Sequence, residues 1–168
     1  MANFHKVPLL GYSDGDNAGS GASYLELAEF IIRNGIESDL RELWTRIVFN
    51  ICIGNTDDHL RNHGFLLKGD KWKLSPVYDI NPNPYARGLS LNIDEESNDL
   101  DLDLAMSVHK HFRISKSYAK DTVKDFANLI SDRWHIYAGD YNISSAQQER
   151  YSDAFSAAND YAERHPNW

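Results

Sequence analysis

Leu40, Leu43, Trp44, Ile47, Val48 and Ile51 recur at i, i+3, i+4, i+7, i+8 and i+11, the spacing of a single apolar stripe along an α-helix. The stripe stops at Gly54, and the chain turns polar at once with Asn55-Thr56-Asp57-Asp58-His59-Leu60-Arg61-Asn62. A helix packed along one side is rigid, so any chemistry in this loop is delivered from a fixed element, as a preorganised site requires.

The rest of the chain reads as mainly helical around that spine. Ser23-Tyr24-Leu25-Glu26 is a capping box that predicts a helix through Ile32, closed near Gly35. Asp39-Leu40-Arg41-Glu42 repeats the signature at the head of the striped helix. Gly64-Phe65-Leu66-Leu67 and Lys71-Trp72-Lys73-Leu74 flank Lys68-Gly69-Asp70, which predicts one small β-hairpin near 64–75. Two prolines and a glycine make 81–88 a loop, 88–93 alternates like a short strand, and 94–99 is an exposed acidic turn. Three further helices are expected at about 101–111, 116–138 and 145–164. Trp44, Trp134 and the tyrosines at helical spacing are read as core. No repeat, low-complexity tract or linker divides the chain, so residues 1–168 are read as a single domain.

The loop and the hairpin together carry the chemistry. Asp57 precedes Asn62 by five positions, and Val77-Tyr78-Asp79-Ile80-Asn81 brings a further carboxylate beyond the hairpin. An acid, an amide and a second acid form the oxygen set that phosphoryl transfer needs to orient a hydroxyl and hold magnesium. The five-residue separation is that of the base and the metal-binding asparagine in a protein kinase catalytic loop. Tyr78-Asp79-Ile80 is not the Asp-Phe-Gly of ordinary protein kinases. Each residue also has a plainer role open to it: Asn-Thr-Asp-Asp is turn-forming composition, and Asn62 or Asp79 alone would be surface turn residues. His59 and His63 lie four apart, which on a helix would suit a transition metal, so a metal-dependent hydrolase is a rival reading.

At Asn55-Thr56-Asp57-Asp58-His59-Leu60-Arg61-Asn62-His63-Gly64-Phe65, at Leu74-Ser75-Pro76-Val77-Tyr78-Asp79-Ile80-Asn81-Pro82 and at Gly21-Ala22-Ser23-Tyr24-Leu25-Glu26-Leu27-Ala28, the chain resembles the C-terminal part of HipA-like serine/threonine kinases, the toxins of bacterial toxin–antitoxin pairs. The resemblance covers roughly residues 7–130 and implies the helical C-terminal lobe of a protein-kinase-like fold. Carried over position by position, it implies Asp57 as the catalytic base, with His59 a loop residue close to the nucleotide phosphates. Asn62 and Asp79 become the magnesium ligands, and Arg61 a residue within reach of a phosphate. ATP and Mg2+ are the implied cofactors. A protein hydroxyl is the implied substrate and a DNA-binding antitoxin the implied partner.

A nucleotide kinase also needs a phosphate-covering loop and a lysine on a strand, both N-terminal to the catalytic loop. Only about fifty residues precede it here, and the glycines of 11–21 sit in an acidic stretch that would repel phosphate. The N-terminal nucleotide-binding lobe is therefore expected to be absent and to be supplied in cis or in trans. The isolated chain is expected to be inactive or very weak. A non-catalytic helical remnant acting as a binding module is the second rival reading.

Composition narrows the partners. A net charge of −8, from 17 basic and 25 acidic residues, argues against direct nucleic-acid binding. The acidic run 94–103 is read as a solvated face. Cys52 is the only cysteine and lies in an apolar run, which points to a buried thiol in a reducing cytoplasm. No apolar run approaches a membrane span, and the N-terminus lacks the apolar core of a signal peptide.

Overall fold

The computed structural model describes residues 2–3 and 16–165. Of the stretch 11–21, residues 11–15 with Gly11 and Gly15 lie outside the described residues, so the expectation about its glycines falls partly there. The fold is mainly α with one hairpin, as the pattern predicts.

Helix α1 spans Tyr24–Asn34, with Glu26 reaching back to the Ser23 amide at 3.4 Å in the predicted capping box. It buries Tyr24, Leu27, Ala28, Phe30 and Ile31. Helix α2, Ser38–Cys52, is the spine. All six residues of its apolar stripe are at most 1% exposed. At about 2 kcal/mol for each buried large apolar side chain, the stripe contributes on the order of 10 kcal/mol before conformational entropy is set against it. The Trp44 indole donates to the Ala105 carbonyl at 2.9 Å, so its one polar atom is satisfied inside the core. Cys52 is buried as expected, and burial pushes its thiol up to about 12.

Asp39 does not cap α2. The helix opens one residue earlier, and the Asp39 carboxylate instead accepts a hydrogen bond from the Leu74 amide at 2.6 Å. A buried strand end needs an acceptor, and this carboxylate supplies it, tying α2 to the hairpin. Strands β2 (Gly64–Lys68) and β3 (Lys71–Leu74) pair antiparallel in the register Phe65↔Leu74 to Lys68↔Lys71. A two-residue strand, β1 (Ala2–Asn3), adds to the free edge of β2. Phe65 and Leu74 face the core, whereas Leu66 and Leu67 face outward.

Residues 88–93 form no strand. Leu89, Leu91 and Ile93 are buried, but so is Asn92 between them, and the backbone partners are irregular segments at 18–24 and 97–98, leaving only isolated bridges. The helix expected at 101–111 is α3, Leu102–Ser107, followed by a 3-10 turn, His109–Phe112. Helix α4 runs Lys116–Asp140. The last expected helix is broken into α5 (Ser145–Tyr151), a 3-10 turn (Ser152–Phe155) and α6 (Ser156–Arg164). The break lets Phe155 stack on Trp134 with ring centroids 4.4 Å apart. Not every tyrosine is core: Tyr137, Tyr141 and Tyr151 are exposed and, with Trp134, Phe155 and Pro82, line an open groove of about 510 Å³.

Gly54 closes α2 at φ +60°, and a Cβ there would lie 2.5 Å from the Ala154 carbonyl oxygen. Left-handed backbone costs a non-glycine residue about 1–2 kcal/mol, and here the obstacle is backbone that cannot turn aside. Gly54→Ala is expected to destabilise the chain by more than about 2 kcal/mol in denaturant unfolding. Gly69→Ala, at φ +66° in open space, should cost only the backbone part.

Candidate functional site

From Gly54 the loop runs along the end of the spine. Thr56 and Asp58 turn inward at 5% exposure while Asp57 between them faces solvent. The Asp57 carbonyl accepts from the His59 amide at 2.9 Å and from the Asn62 side-chain amide at 3.1 Å. That second bond commits the Asn62 nitrogen and leaves its carbonyl oxygen as the group able to meet a cation. Asn62 sits at the end of a single 3-10 turn, Leu60–Asn62.

Asp58 anchors the loop. Its Oδ2 accepts from the Tyr24 hydroxyl at 2.7 Å and from the Asn50 amide at 2.6 Å, and the His63 Nε2 lies 3.2 Å away. Burial pushes the Asp58 carboxyl up. The His63 charge and hydrogen bond, the Tyr24 hydroxyl and the nearby His59 more than offset this, and the group ends below the ordinary carboxylate value. The Tyr24 phenol is held well above its usual range by burial and by the adjacent Asp58 charge.

Asp79 is brought back to this loop by its neighbours on both sides. The Tyr78 hydroxyl donates to the Arg61 carbonyl at 2.8 Å, and the Asn81 amide donates to Asn55 Oδ1 at 3.3 Å. Asn83 adds a bond from its side chain to the Thr56 hydroxyl at 2.9 Å and one from its amide to the Gly54 carbonyl at 3.0 Å. Upstream, Arg46 holds the hairpin exit by donating to the Ser75 carbonyl at 2.7 Å. Asp79 itself is exposed, at φ +57°. Burial raises the Tyr78 phenol, and the charges of Asp58 and Asp79 add to the shift against Arg46.

Asn62 is buried at 5% exposure and Asp79 is exposed; an amide and a carboxylate oxygen are hard donors of the kind magnesium takes, an ion that keeps several waters and binds only one or two protein groups beside substrate phosphates. His59 and His63 do not share a helical face. A 3-10 turn separates them, and His63 is 2% exposed against Asp58. Among the described residues no group of three or more His, Cys, Asp or Glu is arranged to hold a metal. Nδ1 of His59 and of His63 are buried without a hydrogen-bond partner among the described residues. His59 is half-buried and Arg61 exposed, both on the loop that carries Asp57.

Of the anchoring group Tyr24, Asn50, Asp58 and His63, spacing singles out only His63, and that as a metal-ligand candidate with His59. Turn-forming composition at 55–58 does not encode which of the two adjacent aspartates turns inward.

A family model described as the HipA-like C-terminal domain matches residues 5–134. A Haemophilus influenzae protein named "Putative kinase" is 40% identical over 68 residues, 38% of this chain and 20% of that protein. Among solved structures, the chain is similar to one from Shewanella oneidensis MR-1, described as the toxin–antitoxin system HipA, HipB and operator DNA complex. The TM-score is 0.64 at 15% identity, covering 86% of this chain and 36% of the other. The chain therefore spans about a fifth of the curated relative and about a third of the structural one.

The two aspartates should behave oppositely. Asp58→Ala strands buried donors and is expected to lose about 3–5 kcal/mol of stability. Asp57→Ala should stay within about 0.5 kcal/mol, as an exposed position does. Because the Asp58 carboxyl is depressed in the folded chain, its contribution is present above the ordinary carboxylate range and is lost as pH falls through the folded value. Urea unfolding measured from pH 6 down to 3 should show a steeper loss for the parent than for Asp58→Asn.

Proposed function

We propose, for a chain that belongs to the HipA-like C-terminal domain family, that it is the catalytic-lobe portion of a serine/threonine protein kinase, acting when the rest of the kinase is supplied in cis or as a separate chain. In this reading Asp57 orients the acceptor hydroxyl of a protein substrate and takes its proton. Asn62 and Asp79 hold Mg2+, and His59 and Arg61 face the ATP phosphates. Magnesium, when bound, neutralises charge building on the transferring phosphoryl group. The Asn62 amide, bonded to the Asp57 carbonyl, keeps base and metal ligand at a fixed separation.

The observation that carries the reading is the pair of bonds that brackets Asp79, from Tyr78 to Arg61 and from Asn81 to Asn55. They return the second acid to the loop holding the first acid and the amide. The family match and the name of the curated relative support the kinase reading. The similar Shewanella structure is a complex of HipA with HipB and operator DNA, which supports a HipB-like DNA-binding antitoxin as partner. Among the described residues no helix is long and apolar enough to cross a membrane, and a cytoplasmic location fits a reduced Cys52.

The test is reconstitution. Alone, the chain should transfer little or no phosphate from ATP to protein. Joined to the upstream segment of its own gene or of a HipA-like relative, it should do so, with Asp57→Asn lowering turnover by roughly a hundredfold or more and Asp79→Asn weakening the magnesium dependence. Robust transfer by the isolated chain would refute the need for another lobe. An undiminished Asp57→Asn enzyme would remove Asp57 from its role.

A further inference from the structure

Among the described residues three non-glycine residues have positive φ: Asp79, Arg113 and Asn142. Arg113 closes a 3-10 turn and Asn142 follows the end of α4, both positions where left-handed backbone commonly ends a helix. Asp79 follows no helix. Strain of this kind persists where the surroundings over-determine it, and such residues cluster at functional sites.

Asp79 is joined to the buried Asp58 through a set of asparagines in which Asn81 donates both ways, its backbone amide to Asn55 and its side chain to Asp79. Asn50 donates to Asp58 at 2.6 Å, and Asn55 donates to Asn50 Oδ1 at 3.0 Å. The Asn81 backbone donates to Asn55 Oδ1 at 3.3 Å, and the Asn81 side chain donates to Asp79 Oδ1 at 3.0 Å. The set links a buried carboxylate to an exposed one. We infer that Asn81, oriented by Asn55, is a positioning residue that occupies one oxygen of Asp79 and turns the other toward the cation.

This rests on the reading of Asp79 as a magnesium ligand. The chemistry is that of a hydrogen-bonded metal carboxylate: a fixed partner on one oxygen removes alternative orientations of the other, and losing such a partner typically lowers metal affinity roughly 10–100-fold. Asn81 is exposed and its bond to Asp79 lies in solvent, so it adds little to the stability of the fold.

The experiment uses the isotopically labelled chain itself, with Mn2+ as the probe. The left-handed state of Asp79 is read from its backbone coupling and carbon shifts, and manganese affinity from line broadening. In Asn81→Ala the melting temperature should stay within about 2 °C of the parent. Asp79 should stay in the left-handed region, because the substitution keeps the Asn81 backbone amide that bonds Asn55, while affinity should fall about tenfold. Asn81→Ser, which keeps a short donor, should recover part of the affinity. Unchanged affinity in Asn81→Ala would overturn the inference. If Asp79→Asn abolishes broadening while Asn81→Ala does not weaken it, the positioning role fails and the metal reading stands. If Asp79→Asn binds manganese as the parent does, the metal reading itself fails.

Discussion

One buried carboxylate organises the site. Three elements reach Asp58: Tyr24 opens α1, Asn50 lies near the end of α2, and His63 leads into β2. An unpaired charge at 5% exposure would be destabilising by several kcal/mol, so the three partners are obligatory once the acid is buried there. Their convergence fixes where the loop crosses the end of the spine. Asp58 is turned in and its neighbour Asp57 out, and the Asp57 carbonyl accepts from the Asn62 side-chain amide.

Helix α2 transmits this order to the hairpin. Asp39 in its first turn binds the end of β3, and Arg46 in its middle binds the carbonyl of Ser75. Its last residues lead through Gly54, whose missing side chain lets Ala154 pack at backbone distance. The segment from β3 to Asp79 therefore leaves a fixed point and returns to the loop through Tyr78 and Asn81. Rigid supply from a helix and a short tethered return are what a site for phosphoryl transfer requires, since positioning makes up most of that chemistry.

Much of this was legible in the sequence. The stripe from Leu40 to Ile51, the capping box at Ser23, the hairpin and the long helix α4 all follow from local periodicity and turn chemistry, and they appear where expected. What local pattern could not show was partner choice. Asp39 reads as a cap but serves a strand 35 residues away, and 88–93 alternates like a strand without a neighbouring strand to pair with. The final helix is interrupted because Phe155 and Ala154 answer to Trp134 and Gly54, contacts set by the tertiary fold. In the site, Asp57, Asn62 and Asp79 stood out by spacing, whereas the roles of Asn55 and Asn81 depend on hydrogen bonds that spacing does not encode.

If Asn62 and Asp79 meet at one cation beside Asp57, the metal itself can be made to report it. Crystals of the chain soaked with manganese and a non-hydrolysable ATP analogue should give an anomalous peak about 2.2 Å from oxygens of both Asn62 and Asp79, with the Asp57 carboxylate facing the same cleft. Manganese bound only along the acidic run 94–103, with Asp79 directed away from Asn62, would show that the two residues do not form a common site.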